Sequence, residues 1–209
     1  MISYLNFSTV HVIHKDPGFY KKYLQAEELS KKDFEELLKR GSKILTDYLN
    51  EYFAELKGEI ICEYAINGVQ ISDKVKIGGR IDRIEKLKNG KDVIITDLKT
   101  GKPKSRNVIE GKTKSSTGDY KRQVLFYKLL VDGYHGKQWN VKKGVIEFVE
   151  PDEKGSFHRE EFTFELDELE DLKKQILKVA DEIYDLSFWD QRCGNKDCEY
   201  CKLRDMLNI

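Results

Sequence analysis

Between residues 59 and 100 the chain reads EIICEYAI, VKIGGRIDRIEKL and KDVIITDLKT, three short segments rich in β-branched residues. Asn67-Gly68, Gly78-Gly79 and Asn89-Gly90-Lys91 supply turn signals among them. Runs of this length, parted by residues that tolerate left-handed backbone, predict three antiparallel strands joined by tight loops. A meander of that kind needs other elements to cover its faces, so the flanking sequence decides the fold class.

Upstream, Ser30 with Asp33 three residues on predicts a capped helix start. Phe34, Leu37, Leu38, Ile44, Leu45, Tyr48, Leu49 and Phe53 recur at helical spacing and predict an amphipathic helix over 31–56. Gly41 is either a break in that helix or a point of close packing. Downstream come a polar loop over 100–119, a helix from Tyr120 to Val131, strands at 141–149 and 157–165, and a helix over 167–186. Helix, three strands, helix, two strands and helix make an α/β architecture around a mixed sheet. The expected organisation is one domain over 1–187 with a cysteine-rich tail, 188–209, packed on it.

Composition excludes more than it selects. At 209 residues with 39% apolar and 35% charged content, the chain can bury a substantial core without disulfides. Lys+Arg and Asp+Glu are equal at 37 each, so overall charge is silent about a polyanionic partner. No apolar run approaches the roughly 20 residues of a membrane span, and MISYLNFSTVHVIHKDPG lacks the basic start and apolar region of a secretory signal. A cytoplasmic protein is expected. Three of the four cysteines crowd into nine residues near the C-terminus, which suits a metal or cluster better than disulfides.

Two of the predicted strands carry acids that a buried strand avoids. Asp82 follows Ile81, and Asp97 follows Val93-Ile94-Ile95-Thr96, with Lys99 two residues on. A hairpin around Asn89-Gly90 can bring the aspartates together, where they would repel unless a cation lay between them. Oxygen ligation favours Mg²⁺ or Mn²⁺. Strand alternation puts Asp97 and Lys99 on one side, and the Leu98 carbonyl can turn toward the same ion. A lysine there can hold a water and offset charge on a pentacovalent phosphorus, so the set has the parts for phosphodiester hydrolysis. The bland alternative is solvent-facing residues at strand ends. Gln123 and Tyr127, four apart on the following helix, share a face.

GRIDRIE, VIITDLKTGK and DYKRQVLFYKLL in this order closely resemble the RecB-like branch of the PD-(D/E)XK nuclease superfamily. The resemblance covers roughly residues 59–131 and implies a restriction-endonuclease-like core. It implies Asp82, Asp97 and the Leu98 carbonyl as metal ligands, Lys99 as the catalytic lysine, and Gln123 with Tyr127 as groups that hold the DNA strand. An upstream histidine joins the metal site in that family. His11, in Phe7-Ser8-Thr9-Val10-His11, is the candidate, although Ser8 replaces the usual glycine and Asp16-Pro17-Gly18 interrupts the helix expected next. His14 competes for the role.

The loop KTGKPKSRNVIEGKTKSSTGDYKR is basic in an otherwise balanced chain. Lys102, Lys104, Arg106, Lys112, Lys114, Lys121 and Arg122 could neutralise phosphates, and Tyr120 could stack on a base; a solvated loop is the alternative. Its wording also resembles nuclease domains fused to UvrD/RecB-type superfamily 1 helicases, which implies a helicase motor as partner. Cys193, Cys198 and Cys201 form a thiolate cluster suited to zinc or iron. Similar nucleases use such a triplet with a distant fourth cysteine to hold a four-iron four-sulfur cluster; Cys62, on a central strand, reads instead as core. The function implied is a metal-dependent DNase, an exonuclease on single strands or DNA ends acting with a helicase in repair or recombination. The alternatives are a catalytically silent DNA-binding or subunit-docking module, and a zinc-ribbon interaction protein.

Overall fold

A computed structural model describes residues 18–52, 55, 58–136 and 139–207. Helices α1 (Gly18–Gln25) and α2 (Lys31–Tyr52) lead into strands β1 (Ile60–Gln70), β2 (Lys76–Lys86) and β3 (Asp92–Lys99). The short helix α3 (Arg106–Ile109) and α4 (Asp119–Asp132) follow, then β4 (Asn140–Phe148), β5 (Arg159–Phe162), α5 (Leu166–Tyr184) and α6 (Glu199–Leu207). The five strands form one sheet in the order β1-β2-β3-β4-β5, with β3 and β4 parallel and the other neighbours antiparallel. This is the mixed sheet flanked by helices that the sequence predicts.

Local chemistry accounts for the elements. At the start of α2 the Asp33 amide donates to Ser30 Oγ at 3.2 Å, the side-chain cap expected there, and Ser30 Oγ donates to the Asp33 carboxylate at 2.7 Å. Gly41 lies inside α2, where a Cβ would overlap the buried Tyr20 ring of α1, so it is a close-packing point and no break. Between β2 and β3, Asn89 Oδ1 accepts from the Lys91 and Asp92 amides at 3.1 and 2.8 Å, while Gly90 takes φ +69°.

The other two turn signals serve different ends. Asn67-Gly68 is a bulge within β1, where the pairing slips between Ile66 and Val69 and Gly68 takes φ +75°; the reversal comes later, where the Ile71 amide donates to Val75 O. Gly79 lies within β2, and a Cβ there would come 2.9 Å from Leu130 Cδ1 of α4. A Cβ at Gly144 of β4 would meet Val124 of the same helix at 3.0 Å. Both glycines let α4 lie close on the sheet. The predicted strand over 157–165 is shorter, because only Arg159–Phe162 pairs with β4.

The two faces of the sheet bury different groups. On one, Ile66, Ile84, Val93 and Ile95 pack with Tyr127 and Leu130 of α4. On the other, Leu45, Tyr48 and Tyr52 of α2 pack with Ile60, Cys62 and Leu98. Along β1, Cys62 joins the α2 side while Tyr64 joins the α4 side, so the alternation breaks at Glu63, which takes φ +52°. Burial raises the Cys62 thiol to about 11, as for a core cysteine.

Candidate active site

Asp82 and Asp97 come together at the point where β2 and β3 part. Ladder pairs run Lys86↔Val93 to Arg83↔Thr96, and continuing that register by one residue sets Asp82 opposite Asp97. Asp82 Oδ2 accepts a hydrogen bond from the Leu98 amide at 2.8 Å, which ties the first acid to the strand that carries the second. Tyr127 Oη, reaching down from α4, donates to Asp97 Oδ1 at 3.3 Å and lies 3.5 Å from Asp82 Oδ1. The close seat of α4 on Gly79 and Gly144 is what brings that tyrosine within reach.

Lys99 completes the set. Its Nζ lies 2.7 Å from Asp97 Oδ2, donates to Gln123 Oε1 at 2.6 Å and sits 5.0 Å from the centre of the Tyr120 ring. Gln123 Nε2 in turn donates to Tyr127 Oη at 3.2 Å. Lysine, glutamine, tyrosine and aspartate thus form one closed chain of contacts. Tyr120 is half-buried, with its ring edge-on to Phe148.

The carboxylates occupy a poor place for negative charge. Asp97 is 1% exposed, and burial pushes its carboxyl up to about 6 against the opposing pull of Lys99. Asp82 is raised as well, chiefly by burial, while the Leu98 amide and Lys99 pull it down. Burial and the neighbouring carboxylates hold the Tyr127 hydroxyl protonated and therefore a donor. Asp97 Oδ2 meets no hydrogen-bond donor in good geometry although Lys99 stands beside it. A buried acid with an underused oxygen and a half-buried one, next to a strand carbonyl, form an all-oxygen donor set that fits a hard divalent cation.

Asp97→Asn should therefore stabilise the metal-free protein. A native pKa above the unfolded value means the native state holds the proton better, so the penalty grows as pH rises from about 4 to about 6 and stays constant above. The expected gain is roughly 2–3 kcal/mol at pH 7.5 and near zero at pH 4. Thermal unfolding in EDTA at both pH values measures it; a lower melting temperature for the variant at pH 7.5 would contradict the burial argument.

The basic positions are scattered around this centre and mostly paired. Arg106 binds Glu110 and Glu160 at 2.9 Å each and covers the Phe162 ring; Arg122 binds Asp119 at 2.8 Å; Lys102 lies 3.4 Å from Glu153. Lys112 pairs with Glu110 and Lys121 with Glu168. Lys104 and Lys114 have no ion pair among the described residues. His11 and His14 lie outside the described residues. Beside Gln123 opens an apolar trough of about 520 Å³ between α4, α5 and the start of β2, lined by Val75, Ile77, Phe126, Ile176 and Val179, with Arg122 also on its wall. Sequence reasoning did not find it, because its walls come from three distant segments.

In the C-terminal segment the ligand atoms of Cys193, Cys198 and Cys201 lie within 4.8 Å of one another, with Cys193 Sγ 3.6 Å from Cys201 Sγ. That is a thiolate cluster able to hold a soft metal.

A parallel β3-α4-β4 crossover inside a mixed sheet, with two acids and a lysine at the parting of its central strands, defines a nuclease-type α/β core. Residues 17–206 match the PD-(D/E)XK nuclease superfamily, and the chain belongs to it. Among solved structures it is similar to a protein of Eubacterium rectale described provisionally as an exonuclease, at 13% identity over 93% of this chain and 73% of that one, with a TM-score of 0.51. A second, SSO0001, shares 22% identity over 85% of this chain and 77% of that one, with a TM-score of 0.43. No curated protein matches the chain in sequence. No helix among the described residues is long and apolar enough to cross a membrane.

Proposed function

We propose that this chain is a divalent-metal-dependent DNA nuclease that cuts single strands or DNA ends and works beside a helicase motor in repair or recombination. The observation that carries the proposal is the contact chain from Lys99 through Gln123 and Tyr127 to Asp97, with Asp82 beside it. Asp82, Asp97 and the Leu98 carbonyl would hold Mg²⁺ or Mn²⁺, with His11 as a further ligand. Such a cation supplies a hydroxide-like water and neutralises charge developing at phosphorus.

The chain's own groups do the rest. Lys99 Nζ orients the attacking water and screens the phosphoryl oxygens, and Gln123 Oε1 fixes the direction of that ammonium. Tyr127, kept protonated, holds Asp97 in place. The trough beside Gln123 offers an apolar wall to unstacked bases, which favours a single strand over a duplex. Lys102, Lys104, Arg106, Lys112, Lys114 and Arg122 would neutralise flanking phosphates, and Tyr120 would stack on a base. The exposed pairs of Lys102 with Glu153 and Arg122 with Asp119 cost only about 0–1 kcal/mol each to break.

The helicase partnership rests on the resemblance of residues 100–123 to motor-linked nuclease domains. We assign the C-terminal cysteines to a soft metal, zinc or a four-iron four-sulfur cluster; visible absorption near 400 nm together with metal analysis distinguishes the two.

Degradation of end-labelled single- and double-stranded DNA in Mg²⁺, Mn²⁺ or EDTA tests the function. Cutting that needs the metal and favours the single strand is expected. DNA that is bound but left intact with every metal would overturn the nuclease assignment and leave a binding module.

A further inference from the structure

On the α2 side of the sheet, directly behind the acids, lies a second set of charges that takes no part in the proposed chemistry. Arg83 donates from Nη1 to Glu147 Oε1 at 2.9 Å and from Nη2 to Glu147 Oε2 at 3.0 Å, a two-pronged pair between β2 and β4. The same Nη2 donates to Thr96 Oγ1 of β3 at 3.2 Å. Tyr48 of α2 donates to Glu147 Oε1, and Arg159 of β5 donates from Nε to Glu147 Oε2 at 2.8 Å. Arg83 is 2% exposed and Glu147 0%. Arg159 passes over the Tyr52 ring and reaches Glu55 at 2.9 Å.

Stability does not account for this cluster. Removing a buried ion pair in favour of well-packed apolar groups is often neutral or favourable, and Glu147 sits among Val145, Ile146, Phe148 and Val149, all buried without charge. What a planar guanidinium–carboxylate fork supplies, and apolar packing does not, is a fixed separation and direction.

The positions it ties together are the neighbours of the candidate site. Arg83 follows Asp82, Thr96 precedes Asp97, and Glu147 is the register partner of Leu98. We infer that Arg83 and Glu147 are positioning residues, which clamp β2, β3 and β4 from behind so that Asp82, Asp97 and the Leu98 backbone meet at a set spacing in front. The purpose of that spacing rests on the nuclease proposal; the clamp itself does not.

The test uses the whole, metal-free chain carrying Arg83→Met together with Glu147→Leu, which removes the pair and leaves Arg159 its contact with Glu55. Amide hydrogen exchange followed by NMR reads the bond from the Leu98 amide to Asp82. About tenfold faster exchange at Leu98 is expected, with Ile84 and Ile95 protected as in the wild type. A folded double variant that keeps wild-type protection at Leu98 overturns the inference.

Should the double variant not fold, Thr96→Val removes a single hydroxyl at constant shape and should speed Leu98 exchange by about threefold; unchanged exchange there is equally fatal. Mn²⁺ titration by electron paramagnetic resonance gives a second reading, with about tenfold weaker binding expected in the double variant. Neither readout involves DNA cleavage, so failure of the clamp and failure of the nuclease proposal are separate results.

Discussion

Lys99→Ala should leave a folded protein that cuts DNA at least about a thousandfold more slowly than the wild type. Among the described residues the lysine is the one cation within 3 Å of the buried Asp97, and its ammonium is aimed by Gln123. Its loss removes the group proposed to face the phosphoryl oxygens. It also removes the influence that most opposes burial at Asp97, so that carboxyl rises further and becomes a poorer ligand at neutral pH. The check is single-turnover cleavage of labelled single-stranded DNA at saturating Mn²⁺, with circular dichroism to establish the fold. Cleavage within tenfold of the wild type would remove Lys99 from the proposed mechanism.

Glu147→Ala carries the largest expected effect on stability. It strips Arg83 and Arg159 of their shared carboxylate and strands one of them in the interior, a change that costs about 3–5 kcal/mol in comparable buried pairs. For a chain of this size such a loss lowers the melting temperature by roughly 10 °C or more.

Its pH dependence has a definite sign. Although burial raises the Glu147 carboxyl, Arg83 and Arg159 outweigh it and hold the group below the usual range. Its contribution is then complete above the unfolded pKa and disappears as pH falls through the folded one. Thermal melts from pH 3 to 8 should show the wild type losing stability on the acid side more steeply than Glu147→Ala. Parallel curves would mean that Glu147 is not ionised in the native protein. The expected effect of Asp97→Asn has the opposite sign, because Glu147 is held by two guanidinium groups and Asp97 by one ammonium and a tyrosine hydroxyl.

The hairpin that carries Asp82 and Asp97 was legible because apolar runs, Asn89-Gly90 and the spacing of acid, acid and lysine are all local signals. The same holds for the cap at Ser30 and for the faces of α2 and α4. Asn67-Gly68 misled, because left-handed backbone suits a bulge as well as a turn and only pairing distinguishes them. Gly78-Gly79 misled for a related reason: the demand for a missing side chain came from β1 at Gly78 and, at Gly79, from α4 about fifty residues away.

Arg83 and Glu147 were overlooked because a single charged residue in a strand reads as outward-facing. Glu147 did leave a trace, an acid inside the run Val145-Ile146-Glu147-Phe148-Val149 that only a buried partner could tolerate. Its partner could not be named without the register of β4 against β3. Gln123 and Tyr127 were picked out by the family resemblance, since a pair four apart is by itself ordinary helix surface, whereas their contacts with Lys99 and the aspartates depend on how low the helix sits.

The parallel pairing of β3 with β4 bears on how the molecule comes into being. Asp92 pairs with Asn140, 140 − 92 = 48 residues further along, and α4 lies between them. The hairpin of β2 and β3 can form by itself, yet Tyr127 and Gln123 settle over the acids only when α4 has docked, and β4 gives that helix its seat at Gly144. On a ribosome, strands emerge in order, and pairing between distant segments is the slow part of folding. Until β4 has emerged the chain would therefore carry the acids and the lysine without their arrangement, and the capacity to cut would arrive only once that strand had paired.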